Sequence, residues 1–314
     1  MADKKIIAVV GATGAQGGGV VRAILADRNG GFAARAVTRD PESDKARALA
    51  DAGAEVVKGD VDDESSLVRA FDGAYGAFCV TFFWHHMSGE REAAEAARLA
   101  RAAAAAKVRH VIWSTLEDTR RFMAVDDPRM PTLQGNYKVP HFDAKGEADQ
   151  AFRDAGVPTT FLVTSFYWDN FIYFGAGPQP AGDGTFALTM PMGDKRLPGI
   201  AAEDIGKVAY GIFKRPDLIG KTVGIAGGHL TGNEMAAALS KALGVTVRYN
   251  DVPPDVYRGF PFPGADEMGN MFQFKRDFND AYVNARSIEL ARSLNPQLQS
   301  FEEWLSKNAK AIPL

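Results

Sequence analysis

The chain has 314 residues, 46% hydrophobic and 24% charged, which excludes a disordered polymer and suffices for one large domain with a smaller appendage. Its 36 basic and 39 acidic residues leave a formal charge of −3, too little cationic field to draw the chain to nucleic acid or to an anionic membrane. One cysteine, Cys79, excludes an intrachain disulfide and, inside an apolar run, reads as a small buried hydrophobe suited to a reducing compartment.

The first residues run straight into a strand pattern and no apolar stretch reaches transmembrane length, so a soluble cytoplasmic protein is expected. Short β-rich runs follow at Ile6 to Val10, Ala33 to Thr38, Glu55 to Lys58, Ala77 to Thr81 and His110 to Ser114. Helical patterns separate them: Gln16 to Ala26, Ser43 to Ala52, Glu64 to Phe71 and Gly89 to Ala106. Strands alternating with helices predict an α/β fold with a Rossmann-type, doubly wound parallel sheet. From Thr119 to Val139 the pattern becomes irregular, as segments bordering a site often do. Helix resumes over Phe142 to Ala155, and a sixth strand, Thr159 to Val163, leads into the aromatic stretch Ser165 to Phe174 and a Pro/Gly-rich excursion that reads as a lid. Further helices are expected at Asp204 to Phe213, Glu234 to Leu243 and Phe301 to Lys307, with a strand at Thr222 to Ile225. The expected division is a nucleotide-binding domain over 1–165, to which 195–228 returns, and a smaller C-terminal α+β substrate or lid domain over 166–194 and 229–314.

The segment Gly11, Ala12, Thr13, Gly14, Ala15, Gln16, Gly17 follows the first strand and opens a helix. In that position glycines permit a tight turn and a close approach of backbone to a pyrophosphate, which the free N–H groups and the helix dipole stabilise. A merely structural turn is the alternative. The second strand ends Val37-Thr38-Arg39, where an NAD-preferring domain carries a carboxylate for the ribose hydroxyls. A guanidinium there matches a 2′-phosphate, so Arg39 favours NADP(H), with Asp40 beside it as a weak counter-signal. Asp60 and Val61, closing the third strand, can meet the adenine, although an ordinary helix N-cap explains the aspartate as readily. Thr81, Phe82 and Phe83 end the fourth strand at the expected crevice and are placed beside the ribose and nicotinamide.

Taken together, Val-Gly-Ala-Thr-Gly-Ala-Gln-Gly from Val10, Val-Thr-Arg-Asp-Pro from Val37, Glu-Val-Val-Lys-Gly-Asp from Glu55, His-Phe-Asp-Ala-Lys-Gly-Glu from His141, Tyr-Trp-Asp-Asn from Tyr167, Phe-Pro-Gly from Phe262 and Asn-Met-Phe from Asn270 resemble the NmrA-like branch of the atypical short-chain dehydrogenases, close to its NADPH sensors. The resemblance covers nearly the whole chain. It implies NADP contacts at Gly11 to Gln16, Arg39, Asp40, Asp60, Val61, Thr81 to Phe83, Lys145, and Tyr167, Trp168, Asp169 and Asn170. It implies a lysine in the helix after the fourth strand, where this chain has Glu92, Ala93 and Ala94.

Short-chain dehydrogenases use Tyr-x-x-x-Lys, the lysine lowering the tyrosine pKa and the tyrosine exchanging a proton with the carbonyl. Here Lys145 holds the lysine position and His141 stands four residues earlier in place of the tyrosine. Tyr137, one further turn upstream, joins their helix face only if the helix starts early, and Pro140 opposes that. Lys145, His141 and Tyr137 are the candidate catalytic residues. His85 and His86 are adjacent, with no cysteine or spaced histidine to complete a metal set, so no metal is expected. Two functions follow: a redox sensor or regulator with weak or no dehydrogenase activity, or an NADPH-dependent reductase of a quinone, enone, imine or aromatic carbonyl. The expected partners are a protein or a small aromatic substrate, with homodimer formation and without direct nucleic-acid or membrane binding.

Overall fold

The structure, a computed structural model, describes residues 4–314 and divides into two compact units. The first comprises the chain up to Asp118, then His141–Val163 and Glu203–Val223. Six of its strands are β1 (Lys5–Val10), β2 (Phe32–Thr38), β3 (Glu55–Lys58), β4 (Gly76–Cys79), β5 (His110–Thr115) and β6 (Thr159–Val163). Its main helices are α1 (Ala15–Ala26), α2 (Asp44–Asp51), α3 (Glu64–Phe71), α4 (Gly89–Ala105) and α5 (Pro140–Asp154). The sheet order is β3-β2-β1-β4-β5-β6, extended at the β6 edge by Thr222–Gly224, and the pairings along β1 to β6 are parallel. The order reverses between β1 and β4, the position at which doubly wound sheets open a crevice for a nucleotide.

The predicted elements form where the periodicities place them, with differences confined to ends. β4 stops at Cys79, two residues short of Thr81, because the chain leaves the sheet to enter a 3₁₀ turn over Phe83–His85. α5 starts at Pro140, not at Phe142: proline at the first helical position loses no hydrogen bond and presets φ, so it opens this helix instead of breaking it. The core is apolar on both faces of the sheet, with Val9, Ala77, Phe78, Ile112 and Trp113 fully buried. Cys79 lies in this core, where burial alone pushes its thiol pKa up.

His110, also fully buried, is the acid-sensitive member of the sheet. The Thr160 hydroxyl donates to the Leu218 carbonyl, so it accepts from His110 Nε2–H at 2.9 Å, which leaves Nδ1 without a partner. Burial lowers this imidazole from an ordinary value near 6.5 to about 4. Its contribution is therefore full above pH 6.5 and is lost as pH falls towards 4, because the unfolded chain takes up a proton that the folded chain refuses. The loss amounts to about 3 kcal/mol over that window. His110→Gln, which keeps a donor for Thr160, is expected to flatten the fall in urea midpoint across this range; an unaltered pH dependence would assign the acid sensitivity elsewhere.

The second unit comprises Thr119–Pro140, Thr164–Ala202 and Gly224–Leu314. It therefore takes in the irregular 119–140 segment as well as the strand Arg196–Ile200, which sequence periodicity alone placed with the nucleotide domain. The reason is pairing: Arg196–Ile200 runs antiparallel to Gly228–Thr231 and parallel to Phe166–Tyr167. A second three-stranded sheet joins Gln179–Pro180, Phe186–Met190 and Val247–Asp251. The irregular segment is held by the helix Ala265–Asp277, whose Asn270 amide donates to the carbonyls of Pro131 and Lys138 and whose Gln273 amide donates to that of Arg129. Trp168, Phe301 and Trp304 form an aromatic cluster, with the last two rings stacked at 6.0 Å. Among the described residues, no helix is long and apolar enough to cross a membrane.

Candidate functional site

The glycine segment leaves β1 at Val10 and enters α1 at Ala15. Gly11 takes φ +66°, a left-handed conformation that turns the chain at the sheet edge. Gly17 lies so close beneath the turn that an added Cβ would sit 2.4 Å from the Gly11 carbonyl oxygen. The N-terminus of α1 is also set apart by its capping. Ser43, Asp63 and Ser88 each accept a backbone N–H at the start of α2, α3 and α4, whereas Gly14 caps α1 without a side chain and no acidic residue stands in its first turn. Amide donors and the positive end of the dipole are thus left for an external anion, and the tight Gly11/Gly17 contact keeps the approach open. These residues fit a dinucleotide pyrophosphate. Gln16 is tied to β5 by the Ser114 hydroxyl, which donates to its Oε1 at 2.8 Å.

Arg39, just past β2, is exposed and makes no hydrogen bond or ion pair with the described residues. Asp40 next to it accepts the Glu42 N–H and shapes the turn into α2. Lys58 pairs in register with Thr38 and is likewise exposed, a second cation at this sheet end that the sequence reading did not single out. Asp60 accepts the Asp62 N–H and lies in the turn before α3, whose N-cap is Asp63. Val61 is half-buried beside it, with its carbonyl receiving Arg98.

Beyond β4 the three crevice residues diverge. Phe82 is exposed, Phe83 is buried, and Thr81 turns inward to a polar cluster. There the Lys145 ammonium donates to Thr81 Oγ1 at 2.7 Å, to the Thr81 carbonyl at 3.3 Å and to Glu92 Oε1 at 2.8 Å. The Thr81 hydroxyl gives its own proton to Glu92 Oε1 at 2.7 Å. His141 and Lys145 share a face of α5 at i, i+4, and the His141 ring packs against Phe83, Trp84 and Phe142. Tyr137 lies outside the helix, bridged to Leu133 and beneath the Arg120 guanidinium. In the second unit Tyr167 and Asn170 are half-buried, Trp168 is in the aromatic cluster, and Asp169 accepts the Ala202 N–H at 2.8 Å.

Sequence reasoning missed the carboxylates behind Lys145. Glu92 and Glu95 occupy the same stripe of α4 as the buried Ala96, Leu99, Ala100 and Ala103, so their spacing carried the signal: two acids on an apolar face. Burial pushes the Glu95 carboxyl above its ordinary pKa, and the neighbouring Glu92 adds to that rise. Arg91 is committed to Asp62 at 2.5 Å and to Glu95 at 3.2 Å. His86 Nε2 faces both Glu92 and Glu95 at 3.5 Å, a trio whose ligand atoms lie within 4.8 Å of one another, as a cation site would require. The ring's other nitrogen decides how the trio is used. His86 Nδ1 accepts the Ser88 N–H at 3.1 Å, so the proton is on Nε2 and no lone pair is directed at an ion.

The NmrA-like family profile matches residues 3–305. The chain belongs to the NmrA-like family. One relative, the NmrA-like family domain-containing oxidoreductase FrzB of Cladobotryum sp, is 31% identical over 300 residues, spanning 88% of this chain and 85% of its own. Among solved structures, the negative transcriptional regulator NmrA in complex with NADP superposes with a TM-score of 0.77 at 25% identity, over 97% of this chain and 95% of NmrA. NmrA in complex with NAD gives 0.78 at the same identity and coverage. The NmrA-like protein described here thus has an NAD(P)-binding fold, and its relatives include both a regulator and an oxidoreductase.

Proposed function

We propose that this NmrA-like protein binds NADP(H) and acts as a redox sensor or regulator, with weak or no dehydrogenase activity of its own. The observation that carries this reading is the pairing of an uncapped α1 N-terminus with an unengaged Arg39 at the end of β2. The first suits a pyrophosphate and the second a 2′-phosphate. The NADP complex of the related NmrA supports the fit. Lys145 would hold the nicotinamide ribose by turning one ammonium N–H away from the Thr81 carbonyl, its longest bond at 3.3 Å, and Phe82 would flank the ring. The bound cofactor would supply or accept hydride.

The residue at the dehydrogenase tyrosine position argues against ordinary carbonyl reduction: His141 is buried among Phe83, Trp84 and Phe142. In a sensor the two redox forms bind with different affinity, and occupancy changes the surface offered to a protein partner. The reductase reading is favoured by one observation, the oxidoreductase name of the 31% identical relative. It assigns Lys145 to the ribose and the proton to His141, Tyr137 or water, with a quinone, enone, imine or aromatic carbonyl as substrate.

Titration with NADPH, NADP+, NADH and NAD+, paired with an NADPH-oxidation screen over those four classes, separates the readings. Tight, redox-selective binding without turnover supports the sensor. Turnover of one class replaces it with the reductase, and no affinity for any dinucleotide overturns both. Lys145→Met is expected to weaken NADPH about tenfold by removing charge-assisted bonds to the ribose. Unchanged affinity in that variant would remove Lys145 from the cofactor site.

A further inference from the structure

We propose that Glu92 sets the balance between oxidised and reduced cofactor by cancelling the charge of Lys145. The inference rests on the reading that Lys145 holds the nicotinamide ribose. Glu92 is fully buried and its Oε1 receives both the Lys145 ammonium, at 2.8 Å, and the Thr81 hydroxyl, at 2.7 Å. Thr81 supplies the other two acceptors of Lys145, so Glu92 is the one anion bonded to that ammonium among the described residues. The neighbouring charges offer no substitute. Glu95 is matched by Arg91, and His86 Nδ1 accepts the Ser88 N–H. Trp113, whose ring centroid lies 5.1 Å from the Lys145 nitrogen, brings no charge.

The two forms of the cofactor differ by one positive charge on the nicotinamide ring. A lysine next to the ribose repels the oxidised ring, and in a buried setting solvent and salt screen that repulsion weakly. Glu92 converts a full positive charge into a dipole and so lets the oxidised form bind. It is a positioning residue that acts through Lys145, and its effect appears as a change in the ratio of two affinities, where a loss of fold would lower both together.

The test measures dissociation constants for NADP+ and NADPH on each variant in one buffer at fixed pH and salt. Glu92→Gln keeps the Thr81 bond and removes the charge, and the ratio Kd(NADP+)/Kd(NADPH) is expected to rise about fivefold to tenfold. Glu92→Asp, which retains the charge, should keep the ratio near that of the unaltered protein. Lys145→Met should weaken both forms and lower the ratio, and the double variant Lys145→Met/Glu92→Gln should bring the ratio back. This second pair keeps the test open if Glu92→Gln alone does not fold, because removing a buried ion pair whole is tolerated better than removing one partner. If Lys145→Met weakens binding while Glu92→Gln and the double variant leave the ratios unmoved, the role of Glu92 is overturned and that of Lys145 stands. If Lys145→Met changes neither affinity, Lys145 is not at the ribose and both ideas fall.

Discussion

Gly17→Ala is expected to weaken NADPH binding at least a hundredfold and to lower thermal stability by about 1–3 kcal/mol. The cause is steric and local: the new methyl would lie 2.4 Å from the Gly11 oxygen, 2.7 Å from the Gly11 carbonyl carbon and 2.8 Å from the Val10 oxygen. All three are backbone atoms, so no side-chain rotation relieves the contact. Either α1 moves away from the turn or the turn opens, and each outcome misdirects the N–H groups at the helix start. Losing two charge-assisted hydrogen bonds to a phosphate, each worth about 1.5–3 kcal/mol, costs about 3–6 kcal/mol, which is the hundredfold or more expected. Gly31→Ala serves as the control, since nothing lies within 4 Å of its added methyl. Cofactor titration and thermal melts on the two variants check the result; a Gly17→Ala protein with unaltered NADPH affinity would place the pyrophosphate elsewhere.

The second large effect is expected at Arg39. Replacing it with glutamate should invert the preference between NADPH and NADH, a change in their affinity ratio of about a hundredfold to a thousandfold. The variant loses a guanidinium that can make two bonds to the 2′-phosphate, sets a like charge against that phosphate, and gains an acceptor for the ribose hydroxyls. Because Arg39 has no partner among the described residues, the substitution removes no internal contact and stability should stay within about 0.5 kcal/mol. An Arg39→Glu protein that still bound NADPH more tightly than NADH would defeat the assignment, and the exposed Lys58 would then be the cation to test.

These expectations differ in how much of their basis could be seen without the fold. Strands β3 and β6 and helix α3 run over the residues that the sequence delimits, because short β-branched and apolar runs mark the strands and a 3.6-residue apolar pattern marks the helix. The glycine turn and Arg39 were also legible, since a motif between a strand and a helix needs only local chain geometry. The placement of α5 shows the limit. Pro140 argued against a helix through His141, yet proline suits a first helical position, and only the observed start shows that His141 and Lys145 share a turn while Tyr137 lies outside it.

By itself the sequence determined a doubly wound α/β chain of the NmrA-like family, its glycine turn between a strand and a helix, and the lysine and histidine that stand where a dehydrogenase would carry its pair. Those features are written in short spacings and in residue types whose backbone or charge requirements are local. Only the tertiary structure decided what surrounds Lys145. Thr81, Glu92 and His86 are separated from it by 53 to 64 positions of chain and reach its neighbourhood because β4, α4 and α5 pack in one unit. No propensity or period encodes such a meeting, since a buried ion pair is set by which side chains the folded layers bring within hydrogen-bonding distance.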